Sequence, residues 1–239
     1  MNIALIGYGK MGKAIEEIAL EKGYTISLKI TSKNSADLTT ENLVGTDVAI
    51  EFTNPESAVE NLYTCFKANV PVVCGSTGWL SQINEVEENC TSHNAALVYA
   101  SNFSVGVNIF FELNKKLAQL MANQPSYKVV LEEIHHTQKK DAPSGTAITI
   151  AEQLINHLPQ KSSWVNKETT VENELAIISK RIDPAPGTHT VTFSSQIDDI
   201  EIIHTAHNRQ GFAAGAVLAA EFLTNKKGIY TMKDVLNFY

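Results

Sequence analysis

"IALIGYGKMGKAI", residues 3–15, decides how the first half of the chain is read. An apolar run leads into Gly7, and helical periodicity starts just after Gly9. Gly7, Gly9 and Gly12 therefore form a G-x-G-x-x-G between a strand and a helix. In such a loop the first glycine makes the tight turn and the second lets the backbone approach a pyrophosphate. The third lets helix and strand pack closely. The amides and positive dipole end of the helix then favour phosphate. The spacing predicts a dinucleotide site built on Gly7, Tyr8, Gly9, Lys10, Met11 and Gly12.

The segments that follow repeat the pattern. "YTISLKI", "DVAIEF", "VPVVCG" and "AALVYA" read as four further short apolar strands. "PESAVENLYTCFKAN" carries Val59, Leu62, Tyr63 and Phe66 at helical spacing, and "SQINEVEENCTSH" a weaker helical pattern. Strands alternating with helices imply βαβ units and a parallel sheet. Burial on both faces explains why these strands run apolar instead of alternating. An Asp or Glu commonly ends the second strand of an NAD-binding domain and holds the ribose 2′-OH. Here "ISLKITSKN" offers Lys29, Thr31, Ser32 and Lys33, which suits a 2′-phosphate better. NADPH is favoured, with NADH left open.

After residue 103 the grammar changes. "VGVNIFFELNKKLAQLMAN" is amphipathic, with Phe110, Leu113, Leu117, Leu120 and Met121 expected along its buried stripe. "YKVVLEEIHH" reads as a strand and "SGTAITIAEQLINHL" as a helix. "ELAIISKRI", "GTHTVTFSS" and "DIEIIHTAH" read as three more strands. The segment 211–239 reads as helical and is expected to return to the first domain. The predicted fold is α/β: a Rossmann-type parallel-sheet dinucleotide domain plus a smaller α+β domain with a mixed sheet. The first is expected to span residues 1–103 and 212–239. The second, for substrate binding and oligomerisation, is expected over 104–211.

Bulk properties narrow the partners. A net charge of −7 over 239 residues argues against a nucleic-acid partner, which needs a basic surface. No basic run suits an anionic membrane, and no apolar stretch reaches the roughly 18–20 residues of a spanning helix. With no secretory leader pattern at the start, a cytoplasmic protein is expected. Cys65, Cys74 and Cys90 fit neither a disulfide framework nor a zinc site and are expected to be buried free thiols.

The candidate substrate site is "IHHTQKKDAPSGTA", residues 134–147. His135 and His136 end a strand, so their side chains point to opposite faces. Pro143 is expected early in the following helix, with Ser144, Gly145 and Thr146 offering unpaired amides at its start. Such a start holds an anion, particularly a carboxylate. Lys139 and a histidine beside it add charge and a proton source. Adjacent histidines without a third ligand at a usual spacing do not read as a metal site. The residues thus describe a carboxylate-bearing substrate reduced by a nicotinamide. Two other functions stay open on this reading. One is a semialdehyde- or sugar-type dehydrogenase, the former needing an activated cysteine such as Cys74. The other is a non-catalytic dinucleotide sensor.

The stretch "EEIHHTQKKDAPSGTA", residues 132–147, closely resembles the signature of the 4-hydroxy-tetrahydrodipicolinate reductase (dihydrodipicolinate reductase) family of diaminopimelate and lysine biosynthesis. "EFTNPE" at 51–56, "CGSTGW" at 74–79, "ASNFSVGVN" at 100–108 and "HNRQGFAAGAV" at 207–217 extend the resemblance along the chain. It implies that His135 is an acid/base, that Lys139 donates a proton and that His136 contacts substrate. It implies that Gly145 and Thr146, beside Ser144, hold a substrate carboxylate, with Arg209 near the substrate. Gly75, Ser76 and Thr77, with Ala100, Ser101, Asn102 and Phe103, would line the nicotinamide. Lys33 is grouped with the cofactor site. The resemblance also implies domain closure, a dicarboxylate substrate and a homotetramer. This chain departs from the family pattern in a glycine loop one residue shorter, in Gln138 where many members carry a third histidine, and in the missing acidic residue after the second strand.

Overall fold

The computed structural model describes residues 1–208 and 210–238. It divides into two compact units, Met1–Val105 with Gln210–Tyr239, and Gly106–Arg209.

In the first unit β1 (Asn2–Ile6) leads into α1 (Lys10–Glu21), followed by β2 (Thr25–Ile30) and β3 (Val48–Glu51). Then come α2 (Pro55–Lys67), β4 (Val72–Cys74), α3 (Ile83–Ser92) and β5 (Ala96–Tyr99). Asn54 starts α2 by accepting the Ser57 amide on its side chain, with Pro55 in the first turn, where a missing N–H costs nothing.

The second unit takes α4 (Val105–Met121), β6 (Lys128–His135), α5 (Gly145–His157) and β7 (Ser163–Val165). Its remaining strands are β8 (Glu174–Arg181), β9 (Gly187–Ser194) and β10 (Asp199–Ala206). The chain ends with α6 (Gln210–Leu223), β11 (Gly228–Tyr230) and α7 (Met232–Val235) in the first unit.

The first sheet has six parallel strands in the order β11-β5-β4-β3-β1-β2. One face carries α2 and α3 over Ile6, Ala49 and Leu97. The other carries α6, whose Ala213, Ala216, Val217 and Ala220 pack with Leu5, Ile50 and Val98. A side chain at Gly215 would meet the Phe103 carbonyl at 1.7 Å, so α6 can lie this close only as glycine there. The second sheet has the order β10-β9-β6-β8-β7 and is mixed: β6 runs parallel to β8 and antiparallel to β9.

Two expectations needed correction. The segment 211–239 is not continuously helical: α6 stops at Leu223, and Gly228–Tyr230 adds a parallel edge strand beside β5. A three-residue strand has too little pattern to show against its helical flanks. The buried stripe of α4 also lies elsewhere. Val107, Phe110, Phe111, Asn114, Ala118 and Met121 are buried, whereas Leu113 and Leu120 are 53% and 62% exposed. This helix is apolar on more than one face, so periodicity alone does not choose which face packs.

Candidate active site

In the first unit the glycine loop is shaped by backbone constraints. Gly7 has φ +95°, and a Cβ there would lie 2.0 Å from the Phe52 carbonyl oxygen. The Gly7 and Tyr8 amides donate to the Ile30 carbonyl at 3.0 and 2.8 Å, pinning the loop to the end of β2. A Cβ at Gly12 would lie 2.6 Å from the Gly7 carbonyl oxygen, so α1 packs directly on the loop. Gly9, the N-cap of α1, differs: nothing lies within 4 Å of a Cβ built there, and no side chain caps the helix. The fold itself does not need that open space above the helix start, whereas an approaching pyrophosphate does.

Two cavities flank this loop. One, of about 330 Å³, is lined by Gly7, Tyr8, Gly9, Thr31, Ser32 and Ser35 on one side and by Phe52, Thr53, Asn54, Ser57 and Asn61 on the other. The second, of about 350 Å³, takes in Lys10, Met11, Gly75, Ser76 and Thr77. Both open at the carboxyl ends of parallel strands, where open α/β sheets bind ligands. Lys33 is exposed and lines neither cavity. Lys29 is held by Glu16 at 2.5 Å and lies over the Tyr8 ring, whose hydroxyl also donates to Glu16. Ala100 is half-buried and Ser101 exposed, while Asn102 is buried and its side chain accepts the Ser104 amide. Phe103 is core: 1% exposed, its ring sits 5.7 Å from that of Phe52. Phe52 is the ring that lines both cavities.

Phe52, Thr53 and Asn54, just past β3, and Ser57 and Asn61, on the first turns of α2, were not singled out by spacing. Their position after a strand end and on the helix that follows it is the signal that points to them. Beneath them Glu51 is fully buried. It accepts from the Thr53 hydroxyl and amide, from Asn61 and, at 3.2 Å, from the Cys74 thiol. Burial, then the Glu51 charge, push the Cys74 thiol well above its ordinary range. Such a thiol is not a nucleophile, which removes the semialdehyde-type reading.

In the second unit β6 alternates strictly. Val129, Leu131, Glu133 and His135 face inward, and His136, just past the strand end, is half-buried. Glu133 is fully buried and pairs in register with Ser179 on β8 and His189 on β9. Its carboxylate accepts the Ser179 hydroxyl at 2.7 Å and the Ser144 amide at 3.1 Å on each oxygen. Arg181 Nη2 donates to it at 3.3 Å. His135 Nδ1 lies 3.4 Å from Oε2 of the same carboxylate, and the His135 and His189 rings meet edge to face at 5.2 Å.

Burial pushes the Glu133 carboxyl up, but the Ser144 and Ser179 hydrogen bonds and His135 outweigh it and hold the group below the usual range. Burial pushes the His135 imidazole down, with Lys139 and Arg181 adding to this against Glu133. Burial, then His135, push His189 down to about 3. Both rings are therefore neutral near pH 7.

The start of α5 differs from its sequence expectation in two ways. Pro143 precedes the N-cap instead of occupying the first turn, and Ser144 is the cap, its hydroxyl accepting the Ala147 amide at 3.1 Å. The Ser144 amide is not open to a ligand, because Glu133 takes it. Gly145 and Thr146 begin the helix, with amides pointing out of its N-terminal end. Lys139 is 23% exposed in its side chain and grips both oxygens of Asp141 at 2.8 and 2.9 Å. Arg181 donates to the Lys139 and Asp141 carbonyls at 3.3 and 2.6 Å, holding that loop against the strand end. Arg209 lies outside the described residues.

Glu133, His135 and His189 bring potential ligand atoms within 4.8 Å of one another. The Arg181 guanidinium beside the carboxylate and the hydrogen bonds already filling it oppose a cation there. Glu133, Arg181 and His189 were missed from spacing; an ionisable residue at an inward position of an alternating strand is the signal for the first and the last. The cavity of about 390 Å³ in this unit sits around Tyr127, Lys128 and Lys161, at the opposite end of β6 from His135.

Comparison with known proteins matches the chain along nearly its whole length. A family model described as dihydrodipicolinate reductase, N-terminus, matches residues 1–103, and one described as its C-terminus matches residues 106–236. A 4-hydroxy-tetrahydrodipicolinate reductase of Christiangramia forsetii is 52% identical over 238 residues, covering 99% of this chain and 98% of that protein. One from Thermosipho africanus is 34% identical with the same coverage of both chains. Among solved structures, the dipicolinate-bound dihydrodipicolinate reductase of Paenisporosarcina sp. TG-14 superposes with a TM-score of 0.77 at 24% identity, covering 98% of each chain. That last likeness speaks for the fold. No described helix is long and apolar enough to cross a membrane.

Proposed function

Because this chain belongs to the dihydrodipicolinate reductase family, we propose that it catalyses NAD(P)H-dependent reduction of 4-hydroxy-tetrahydrodipicolinate to tetrahydrodipicolinate in lysine and diaminopimelate biosynthesis. The observation that carries the reading lies in the second unit. A buried imidazole, a lysine and the start of α5 come together at one strand end.

The first unit fits a dinucleotide: Gly9 leaves open space over a helix start, and two cavities flank it. Gly7, Tyr8, Gly9, Lys10 and Met11 would hold its phosphates. Gly75, Ser76 and Thr77 would hold the nicotinamide end, with Phe52 as the apolar floor. When bound, the dinucleotide supplies the hydride. Thr31, Ser32 and Ser35 offer hydroxyls, and no carboxylate, in the cavity at the end of β2, so NADPH is the favoured cofactor.

The remaining chemistry belongs to the chain. Gly145 and Thr146 amides hold one substrate carboxylate, with His136 beside it. Lys139 leaves Asp141 for the substrate and delivers a proton, and its charge stabilises negative charge developing on the ring. His135, shielded from water, takes the ring proton released as the hydroxyl leaves with a proton as water, and returns it to the ring after the hydride adds. Overall the substrate takes up a hydride and a proton and loses one water. A homotetramer belongs to the same reading: Val130 and Ile203 leave apolar surface on strands of the second sheet, 39% and 58% exposed. So does a cytoplasmic location, which the biosynthetic role of the relatives favours.

The test is dinucleotide oxidation followed in a coupled assay, with substrate formed in situ from pyruvate and aspartate semialdehyde by the preceding synthase. Consumption of NADPH or NADH dependent on that synthase is expected. No consumption with either would overturn the reading. A higher kcat/KM with NADH would overturn the cofactor preference alone.

A further inference from the structure

On the buried face of β6, Glu133 sits one inward position before His135. We propose that Glu133 is a positioning residue: its carboxylate fixes the tautomer and ring orientation of His135 and ties the Lys139 loop and the start of α5 to the same point. This rests on His135 exchanging a proton, as proposed above.

An ionised carboxylate only accepts hydrogen bonds, so each group around it must donate. The Ser144 amide, the Ser179 hydroxyl and Arg181 do so. His135 Nδ1 is buried and has no hydrogen-bond partner among the described residues, and Glu133 Oε2 lies 3.4 Å away. A shift of a few tenths of an ångström makes that contact an Nδ1–H···O bond of ordinary length, about 2.7–3.2 Å. The proton is then held on Nδ1, and Nε2 becomes the nitrogen that exchanges with substrate. His189 does not compete for the carboxylate. Its Nε2 lies 3.8 Å from Oε2 and faces the Ser144 hydroxyl at 3.3 Å. Because that hydroxyl already accepts the Ala147 amide, its own proton is available for His189.

The carboxylate also organises what surrounds the ring. Through Arg181 it reaches the Lys139 and Asp141 carbonyls, and through the Ser144 amide it reaches the residue that caps α5. One buried charge thus connects the proton-exchanging ring, the lysine loop and the anion-binding helix start. The charged and titratable groups facing His135 are Glu133 on β6, His189 on β9, Arg181 on β8, and Lys139 and Asp141 on the loop. Glu133 and Asp141 favour its protonated form; Lys139 and Arg181 oppose it.

Imidazole 15N signals of the full-length enzyme without ligand test this in wild type, Glu133→Gln and Arg181→Gln. His135→Ala identifies the signal by its loss. In Glu133→Gln the His135 midpoint should fall and its preference for the Nδ1–H tautomer should weaken. The kcat should drop about 10–100-fold, by analogy with the loss when the hydrogen-bond partner that orients a metal-bound histidine is removed, with the dinucleotide KM unchanged. In Arg181→Gln the midpoint should move the opposite way, upward. An unchanged midpoint and tautomer in Glu133→Gln would overturn the proposal. If that variant does not fold, Arg181→Gln decides: an unchanged or lowered midpoint overturns it. The imidazole signals need no turnover, so near-wild-type kcat in His135→Ala would count against the acid/base reading separately.

Discussion

The two helix starts proposed to face ligands, Gly9–Lys10 of α1 and Ser144–Gly145 of α5, solve the same problem in opposite ways. Both present backbone amides and a positive dipole end. At α1 the site is made by what is missing: a glycine cap, no side-chain cap and open space. At α5 it is made by what is already bonded: Ser144 caps the helix with its hydroxyl and spends its own amide on Glu133. A phosphate site therefore needs little beyond local backbone shape. The proposed carboxylate site depends on a carboxylate 11 residues earlier and on residues from two other strands.

The comparison breaks most visibly in catalysis. Lys139→Ala and His135→Ala should each lower kcat by about 10²–10⁴-fold, the usual range for general acid–base groups, while dinucleotide binding by fluorescence titration survives. Loss of dinucleotide binding in either variant would mean the two starts are not separate.

Gly7→Ala and Gly9→Ala sharpen the picture at α1. At Gly7 the left-handed backbone alone should cost about 1–3 kcal/mol, with the Phe52 carbonyl clash added, and Tm should fall accordingly. Gly9→Ala should leave Tm nearly unchanged and raise the dinucleotide KM. Equal Tm losses would show that Gly9 serves the fold instead of the ligand.

The pH dependence of stability reports on the α5 side. His189 has its folded pKa depressed from 6.5 to about 3 by burial. Below pH 6.5 the unfolded chain takes up a proton that the folded one refuses, so stability falls as pH drops from there toward 3. Glu133 acts in the same direction, but only below its ordinary 4.5. The fall between pH 6.5 and 4.5 should therefore be shallower in His189→Gln, measured by Tm. An unchanged slope would argue that His189 is not held neutral. The smallest effect is expected at Thr146. Thr146→Leu should raise the substrate KM several-fold and leave the dinucleotide KM unaltered; the reverse pattern would misplace the anion site.

Legibility followed the same divide. The β1–loop–α1 unit could be read because its glycines, apolar run and helix are contiguous and act through backbone geometry. The alternating strands and helices of the first unit, the mixed sheet of the second and the 132–147 stretch were legible for the same reason. Lys33 stood out as a basic residue near the end of β2, yet it faces solvent, because which side a loop residue takes is set by the Thr31–Asn34 turn. Phe103 stood out through its block; its ring is buried in the core and packs against that of Phe52, which lines the cavities. On α4, Leu113 and Leu120 continued a plausible stripe, but the packed face runs through Val107, Phe111 and Ala118.

By itself the sequence determined the local devices: a strand entering a glycine loop, a helix opening near Pro143 and Ser144, and a histidine pair on a strand end. These depend on φ/ψ preference, side-chain period and neighbours a few residues away. Only the tertiary structure decided which groups surround them. Register between β6, β8 and β9 set Ser179 and His189 across from Glu133 and Arg181 across from His135. Burial there excludes water and pushes the His135 imidazole down against the pull of Glu133, and the same carboxylate accepts from the Ser144 amide and Arg181 beside it. Strand register joins residues 46 to 56 positions apart through backbone pairing, and no local pattern in the chain carries that information.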